Sequence, residues 1–341
     1  MTAAEAAPAR TAISGGSEMG RVADAVSRHM VRNLGGPPDK LYEAARHLIV
    51  HGGKRLRPYM VIKSCQMLGG SRHDARHAAS AVEMVHNFTL VHDDIMDRDE
   101  MRHGVPTVHQ KFGVPTAILA GDTLFSKAYQ TLASAGPDRQ EQVRELVSRL
   151  ASTCVSVCEG QMLDMEMAGT DAIPTESEYI AMIKKKTAAL FDVSCAMGAI
   201  CAGGERSDVA NLSGFGRNLG IAFQITDDLI GAMGDPGTTK KPVGNDIREG
   251  KKTLPILMAL EESKDDRHHH EAISAAFGNP GISRSELDEA VRSVRALGIE
   301  DRVRSMAWRY ADRASRRLAS YSGKAKDDLE NLLGFVVRRS V

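Results

Sequence analysis

Three observations predict an all-α fold for this 341-residue chain. Helix-forming Ala, Leu, Met, Glu and Arg abound, while aromatic residues make up only 4%, which favours helix over sheet. Apolar residues recur at helical spacing through most of the sequence, with no convincing β-alternation and no Gly-x-Gly-x-x-Gly after a strand pattern. Gly and Pro fall at the ends of the periodic segments, where helices stop, and no linker of domain-separating length interrupts residues 21–341. The expectation is a disordered, Ala/Thr/Ser/Gly-rich tail over residues 1–20 followed by a single domain, 21–341, of long helices.

The elements follow in order. Arg21 to Leu34 ends at Gly35-Gly-Pro-Pro38, and Leu41 to Val50 ends at Gly52-Gly53. Tyr59 to Leu68 begins after Pro58 and stops at Gly69-Gly70. His73 to Asp97 is a long apolar-rich helix, and Thr116 to Ala135 stops at Gly136-Pro137. Glu141 to Ala168, Ser177 to Ala202 and Val209 to Ile230 are further long helices, followed by a Gly/Pro/Lys-rich loop from Gly234 to Lys252. Shorter helices fill Leu254 to Val337, with breaks near Asp265–His270, Gly278–Gly281 and Gly298. The histidine run His268–His270 reads as a solvated loop rather than a metal site.

Charge and cysteine usage exclude several functions. The 44 basic residues balance the 44 acidic ones, so no global field points to nucleic acid or an anionic membrane. Five scattered cysteines form neither a disulfide framework nor a zinc pattern; Cys154 and Cys158 read as small core residues. This usage suits a reducing cytoplasm. No apolar run approaches the ~18 residues of a membrane span, and the N-terminus lacks a charged-then-apolar signal.

Chemistry concentrates in two aspartate pairs, each following an apolar helical run: Phe88-Thr-Leu-Val-His-Asp-Asp-Ile-Met-Asp97 and Phe223-Gln-Ile-Thr-Asp-Asp-Leu-Ile-Gly231. Asp93 and Asp97 lie four apart, so their carboxylates leave one helix face. Such crowded carboxylates need a neutralising cation, and hard oxygens in small number suit Mg²⁺, which shares its shell with waters and substrate phosphates. A lone Asp-Asp-x-x-Asp is most often a solvated helix end; two of them with basic motifs are not. Those motifs are Gly52-Gly-Lys-Arg-Leu-Arg-Pro58, Arg102-His-Gly-Val-Pro-Thr107, Lys184-Lys-Lys-Thr187, Lys241-Pro-Val-Gly-Asn-Asp246 and Gly250-Lys-Lys-Thr-Leu-Pro255. The first places three cations in a glycine-loosened turn able to close on a phosphate.

From about residue 40 to 260 the chain resembles the trans-isoprenyl diphosphate synthases of the polyprenyl synthetase family, with the motifs in family order. The resemblance implies the isoprenoid synthase fold, an all-α single-domain bundle around a deep central cavity, and a homodimer. It implies Mg²⁺-dependent head-to-tail transfer of an allylic group to isopentenyl diphosphate, with about three Mg²⁺ ions per site when diphosphate is bound. Lys54, Arg57 and His86 match isopentenyl diphosphate positions; Asp93, Asp94 and Asp97 match the first metal motif, Asp227 and Asp228 the second. Arg102, Lys186, Thr187, Gln224 and Lys241 match positions near the allylic diphosphate. Two departures stand out: His103 replaces a usual arginine beside isopentenyl diphosphate, and Gly231 replaces the usual third Asp of the second motif.

The resemblance also implies where product length is set. Val85 and Thr89, below Asp93, are small, and Phe88 is the nearest large side chain. Family members with one aromatic at this fifth position before the motif stop near twenty carbons, so geranylgeranyl diphosphate is the expected product, with farnesyl or geranyl diphosphate as alternatives. Two other classes remain: a class I terpene cyclase, whose Asn/Asp-x-x-x-Ser-x-x-x-Glu motif is not found, and a non-catalytic partner subunit.

Overall fold

A computed structural model describes residues 17–135, 139–234 and 243–338. It is all-α, as the composition predicts. Contacts divide the chain into two compact units: residues up to Ala151 with Ser194–Val209, and Ser152–Val193 with the chain from Ala210 onward.

The first unit opens on α1 (Glu18–Asn33), which starts inside the expected 1–20 tail because Ser17 caps it, its hydroxyl accepting from Gly20 N–H. Residues 1–16 lie outside the described residues. Next come α2 (Asp39–His51), α3 (Leu56–Met67) and α4 (Arg72–Met96). Helix α3 starts before Pro58, which sits in its first turn where no intrahelical N–H is needed. Ser71 and Asp74 form a reciprocal capping box on α4. A two-residue antiparallel ladder pairs β1 (Met101–Arg102) with β2 (Val105–Pro106), a local exception to the expected absence of strand. It closes on His103 and Gly104, both at positive φ (52° and 79°), as a tight right-twisted hairpin demands. Helices α5 (Val108–Phe112) and α6 (Val114–Ala133) follow, and α4 packs along both α3 and α6.

Two half-buried histidines that touch one another in this unit, His29 and His77, are sensitive to acid. His29 Nδ1 lies 2.8 Å from Ser80 Oγ, and its ring stacks edge-on against His77 at 5.3 Å. Burial first, then the charges of His77, Arg76 and Arg32, hold the His29 imidazole down to about 4; burial also lowers His77. Both are depressed below the unfolded value near 6.5, so the unfolded chain binds more protons below that pH. Stability is therefore fully present above pH 6.5 and falls as pH drops towards 4, by ~2 kcal/mol for His29 after solvent screening. The urea midpoint of the wild type should drop between pH 7 and 5, and His29→Asn should flatten that drop; an unchanged slope would remove His29 from the account.

The second unit is built from the C-terminal part of α7 (Gln140–Ala168), α8 (Glu176–Ile183), the start of α9 (Ala189–Cys201) and most of α10 (Arg206–Met233). It continues through α11 (Asn245–Arg248), α12 (Leu254–Glu262), α13 (Arg267–Ala276), α14 (Arg284–Ala296), α15 (Ile299–Arg317) and α16 (Lys324–Val337). Between α8 and α9, Lys184–Ala188 form a π-turn rather than the continuous helix read from sequence. The expected histidine loop is a helix as well. Asp266 caps α13 by accepting from His269 N–H, and His268–His270 form its first turns, with His269 and His270 bonded to Ser293 and Ser263. Cys154 is buried as expected, but Cys158 is exposed, because successive positions four apart drift off the buried face of α7. No helix among the described residues is long and apolar enough to cross a membrane.

Candidate active site

The basic turn of the first unit divides its cations. Arg55 takes a left-handed conformation (φ 51°), which turns its side chain inward to 5% exposure. There its guanidinium donates to Glu83 Oε1 (2.8 Å), the Ile49 carbonyl (2.6 Å) and Ser27 Oγ (3.2 Å). A charge this buried persists because an opposite charge and a carbonyl satisfy it. Of the three cations in the turn, Arg55 braces the loop, Lys54 is exposed and Arg57 is half-buried. Arg57 Nη1 lies 3.1 Å from His86 Nε2 on α4. Burial, then the charges of Arg57, Arg55, Arg102 and His103, press His86 well below its usual range. His86 is thus a neutral ring accepting from Arg57, with its own proton on Nδ1.

The first acidic motif lies at the C-terminal end of α4. Asp93 is half-buried and Asp97 is exposed as the C-cap, its N–H bonded to the Asp93 carbonyl at 2.8 Å. Asp94 points the other way and is fully buried, with Oδ1 accepting from Arg102 Nε; Arg102 also reaches Asp99 at 3.2 Å. Its second oxygen, Oδ2, has no hydrogen-bond partner. Burial raises the Asp94 carboxyl, and Arg102 opposes that rise. His103 is pushed down by burial and then by Arg102 and Arg55, so it is a neutral ring where an arginine would carry charge.

Phe88 is part of an aromatic row rather than an isolated ring. Its centroid is 5.2 Å from Phe125 on α6, which is 5.1 Å from Tyr129, while His92 covers its other side at 4.7 Å. Val85 is buried, and the Thr89 hydroxyl donates to the His86 carbonyl at 2.8 Å. Phe125 and Tyr129 escaped sequence reasoning because they sit one turn apart on a different helix, with no motif around them.

In the second unit the π-turn carries Lys186 and Thr187. Lys186 Nζ pairs with Asp164 on α7, another residue the sequence reading missed. The widened turn needs neighbours without side chains. A Cβ on Gly160 of α7 would lie 2.2 Å from the Lys186 nitrogen, and one on Gly220 of α10 would lie 2.7 Å from Ala188 Cα. Thr187 Oγ1 donates to Gln224 Oε1 (2.8 Å), and Gln224 Nε2 donates to Asp228 Oδ1 (2.7 Å). The other Asp228 oxygen accepts from Tyr179 O–H of α8, a fully protonated phenol held well above its usual range by burial. Burial lifts the Asp228 carboxyl to about 7 against the pull of Tyr179 and Gln224.

Gly231, where a third aspartate would be expected, has a physical replacement. A Cβ at 231 would stand 2.2 Å from Asp246 Oδ2, so the carboxylate of α11 occupies the space that the missing side chain would have used. Asp246 is only 8% exposed, with Lys251 Nζ 3.9 Å from Oδ1. Lys252 donates to the Met167 carbonyl (2.7 Å) in the last turn of α7 and to the Ala172 (2.9 Å) and Thr170 carbonyls just past it. Lys241, a sequence candidate, lies outside the described residues.

Among the described residues no three His, Cys, Asp or Glu side chains converge on a point that could hold a metal by themselves. The donor chemistry still fits a hard divalent ion. Half-buried Asp93 and exposed Asp97 and Asp227 offer oxygen donors only, and Mg²⁺ completes its shell with water and phosphate rather than an all-protein cage.

The family model described as polyprenyl synthetase matches residues 38–293. A geranylgeranyl diphosphate synthase of Sulfolobus acidocaldarius is 42% identical over 310 residues, covering 90% of this chain and 93% of its own. A geranylfarnesyl diphosphate synthase of Aeropyrum pernix is 38% identical, covering 89% and 95%. The crystal structure of a geranylgeranyl pyrophosphate synthetase from Pyrococcus horikoshii superposes with a TM-score of 0.88 at 38% identity, covering 94% of this chain and 98% of that one.

Proposed function

The chain belongs to the polyprenyl synthetase family, a family of prenyltransferases, and on that premise we propose that it condenses isopentenyl diphosphate with an allylic diphosphate to geranylgeranyl diphosphate. The observation that carries the product assignment is the single aromatic row headed by Phe88, five positions before Asp93, together with relatives named for that product. The geranylfarnesyl synthase relatives make a product one unit longer the main alternative.

Each residue has a task in this reading. Lys54 and Arg57, with neutral His86 beside the latter, bind the diphosphate of isopentenyl diphosphate. Asp93 and Asp97 of the first unit, and Asp227 and Asp246 of the second, would hold Mg²⁺, which would supply positive charge to the departing diphosphate. Lys186 adds a second cation to that leaving group, and diphosphate competes with Asp94 and Asp99 for Arg102. Thr187 and Gln224 offer neutral oxygens to the allyl cation, stabilising it without attacking it. The departing diphosphate takes the proton, so no side-chain base is required. Exposed Val114, Ile118 and Leu119 on α6 support a homodimer.

Incubating the purified chain with Mg²⁺, isopentenyl diphosphate and each of dimethylallyl, geranyl and farnesyl diphosphate, then sizing the dephosphorylated products, tests the reading. A twenty-carbon alcohol is expected; cyclic hydrocarbons or no turnover would overturn it. His103→Arg should lower the Michaelis constant for isopentenyl diphosphate about three- to tenfold at pH 7–8, where the depressed imidazole is neutral and arginine is not. The allylic constant should barely move, and a shift confined to it would place residue 103 beside the other substrate.

A further inference from the structure

The second acidic motif has two adjacent carboxylates, of which Asp227 is exposed and Asp228 is buried. Both oxygens of Asp228 already accept hydrogen bonds from the protein, one from Tyr179 and one from Gln224. Tyr179 is 1% exposed and Asp228 7%. Sequence alone gives Tyr179 no role, since it lies on another helix outside every motif.

We propose that Tyr179 is a positioning residue that acts through Asp228 to fix the Gln224 amide with its oxygen towards Thr187, and that it thereby commits Asp228 to orientation while Asp227 serves as the metal ligand. This inference rests on the prenyl-transfer reading.

With Asp228 ionised, hydrogen-bond chemistry allows one arrangement. A side-chain amide has a donating and an accepting end, and a carboxylate accepts only. Asp228 therefore draws Nε2 of Gln224 towards itself, which leaves Oε1 on the Thr187 side, where it receives the hydroxyl proton. The flipped amide would set an oxygen against the carboxylate and an N–H₂ against Thr187. That flip would replace an acceptor dipole with a donor at the place where a carbocation has to be stabilised. Tyr179 completes the line by holding the far carboxylate oxygen, so Asp228 has no free rotation with which to release Gln224.

The backbone is built to serve this line. Tyr179 and Thr187 are eight positions apart, and an uninterrupted α-helix would leave them ~80° out of register at ~100° per residue. The π-turn at Lys184–Ala188 bonds i to i+5 and rotates less per residue, which brings Thr187 back towards the face that Tyr179 presents. On α10, Gln224 and Asp228 are four apart and share one face, which completes the match. Gly160 and Gly220 leave room for the widened turn.

The test pairs turnover with a binding readout that needs no turnover. Tyr179→Phe should lower kcat about tenfold or more with the allylic Michaelis constant within about twofold, because misorientation is felt mainly when charge develops. Asparagine at 228 can still accept from Gln224 and donate to the Tyr179 oxygen, so Asp228→Asn should keep kcat within about tenfold of wild type. It should also keep the rise in melting temperature produced by Mg²⁺ with inorganic pyrophosphate, whereas Asp227→Asn should lose that rise. Loss of the rise in Asp228→Asn equal to that in Asp227→Asn, or wild-type kcat in Tyr179→Phe, would overturn the proposal. The melting experiment is read without product, so a wild type that fails to make prenyl diphosphate would sink the functional reading while the comparison of 227 with 228 still stands or falls alone.

Discussion

Asp93→Ala should lower turnover by about 10²–10³-fold or more, while the thermal melt stays close to wild type. The side chain is only half-buried, in the last turn of α4, so its removal costs less packing than that of a core residue. On the proposed reading the loss is of an oxygen donor for a cation that would neutralise the leaving diphosphate, a contribution expressed chiefly in the transition state. Asp97→Ala should behave similarly, because the C-cap is exposed and its backbone, rather than its carboxylate, closes the helix. Steady-state rates across a Mg²⁺ titration, with circular dichroism as the fold control, check both. Near wild-type turnover in either variant would dismiss the metal assignment of α4.

The second large effect is on product length. Phe88 lies about 7.5 Å along α4 from Asp93 at ~1.5 Å per residue, a distance similar to one isoprene unit. Phe88→Ala should therefore lengthen the product, and the row of Phe125 and Tyr129 behind the ring should limit the gain to about one five-carbon unit. Thr89→Phe should shorten it, since the new ring would stand almost beneath the metal-binding carboxylates. Chromatography of the dephosphorylated alcohols reads both. An unchanged distribution in Phe88→Ala would make the ring an ordinary part of the α4–α6 core and remove the local support for a twenty-carbon product.

Motif spacing made much of the chemistry legible. Four-residue separation on a helix placed Asp93 with Asp97 and Gln224 with Asp228 on common faces, and helix geometry is local enough to be computed from position alone. Glycine and proline punctuation located most helix ends to within a few residues, because those residues act through their own backbone. What failed was local too, but competitive. Asp266 capped the histidine run into a helix, and Ser17 started α1 early, because one side-chain oxygen on an orphan N–H outweighs the propensity of a polar stretch.

Other assignments depended on partners far away in the chain. Arg55 reads as one of three equivalent cations until a positive φ and Glu83, 28 positions later, turn it inward. Gly231 reads as a defect until Asp246 is found in its space, and no pattern around Asp228 tells that Tyr179 and Gln224 donate to its two oxygens. The sequence by itself determined the all-α class, the family and the residue types of the chemistry, since these follow from period, spacing and composition. Only the tertiary structure decided which member of each charged group is buried among polar partners and which stays exposed. A charge's role is set by the low-dielectric neighbours that satisfy it, and those neighbours come from helices that no local pattern connects.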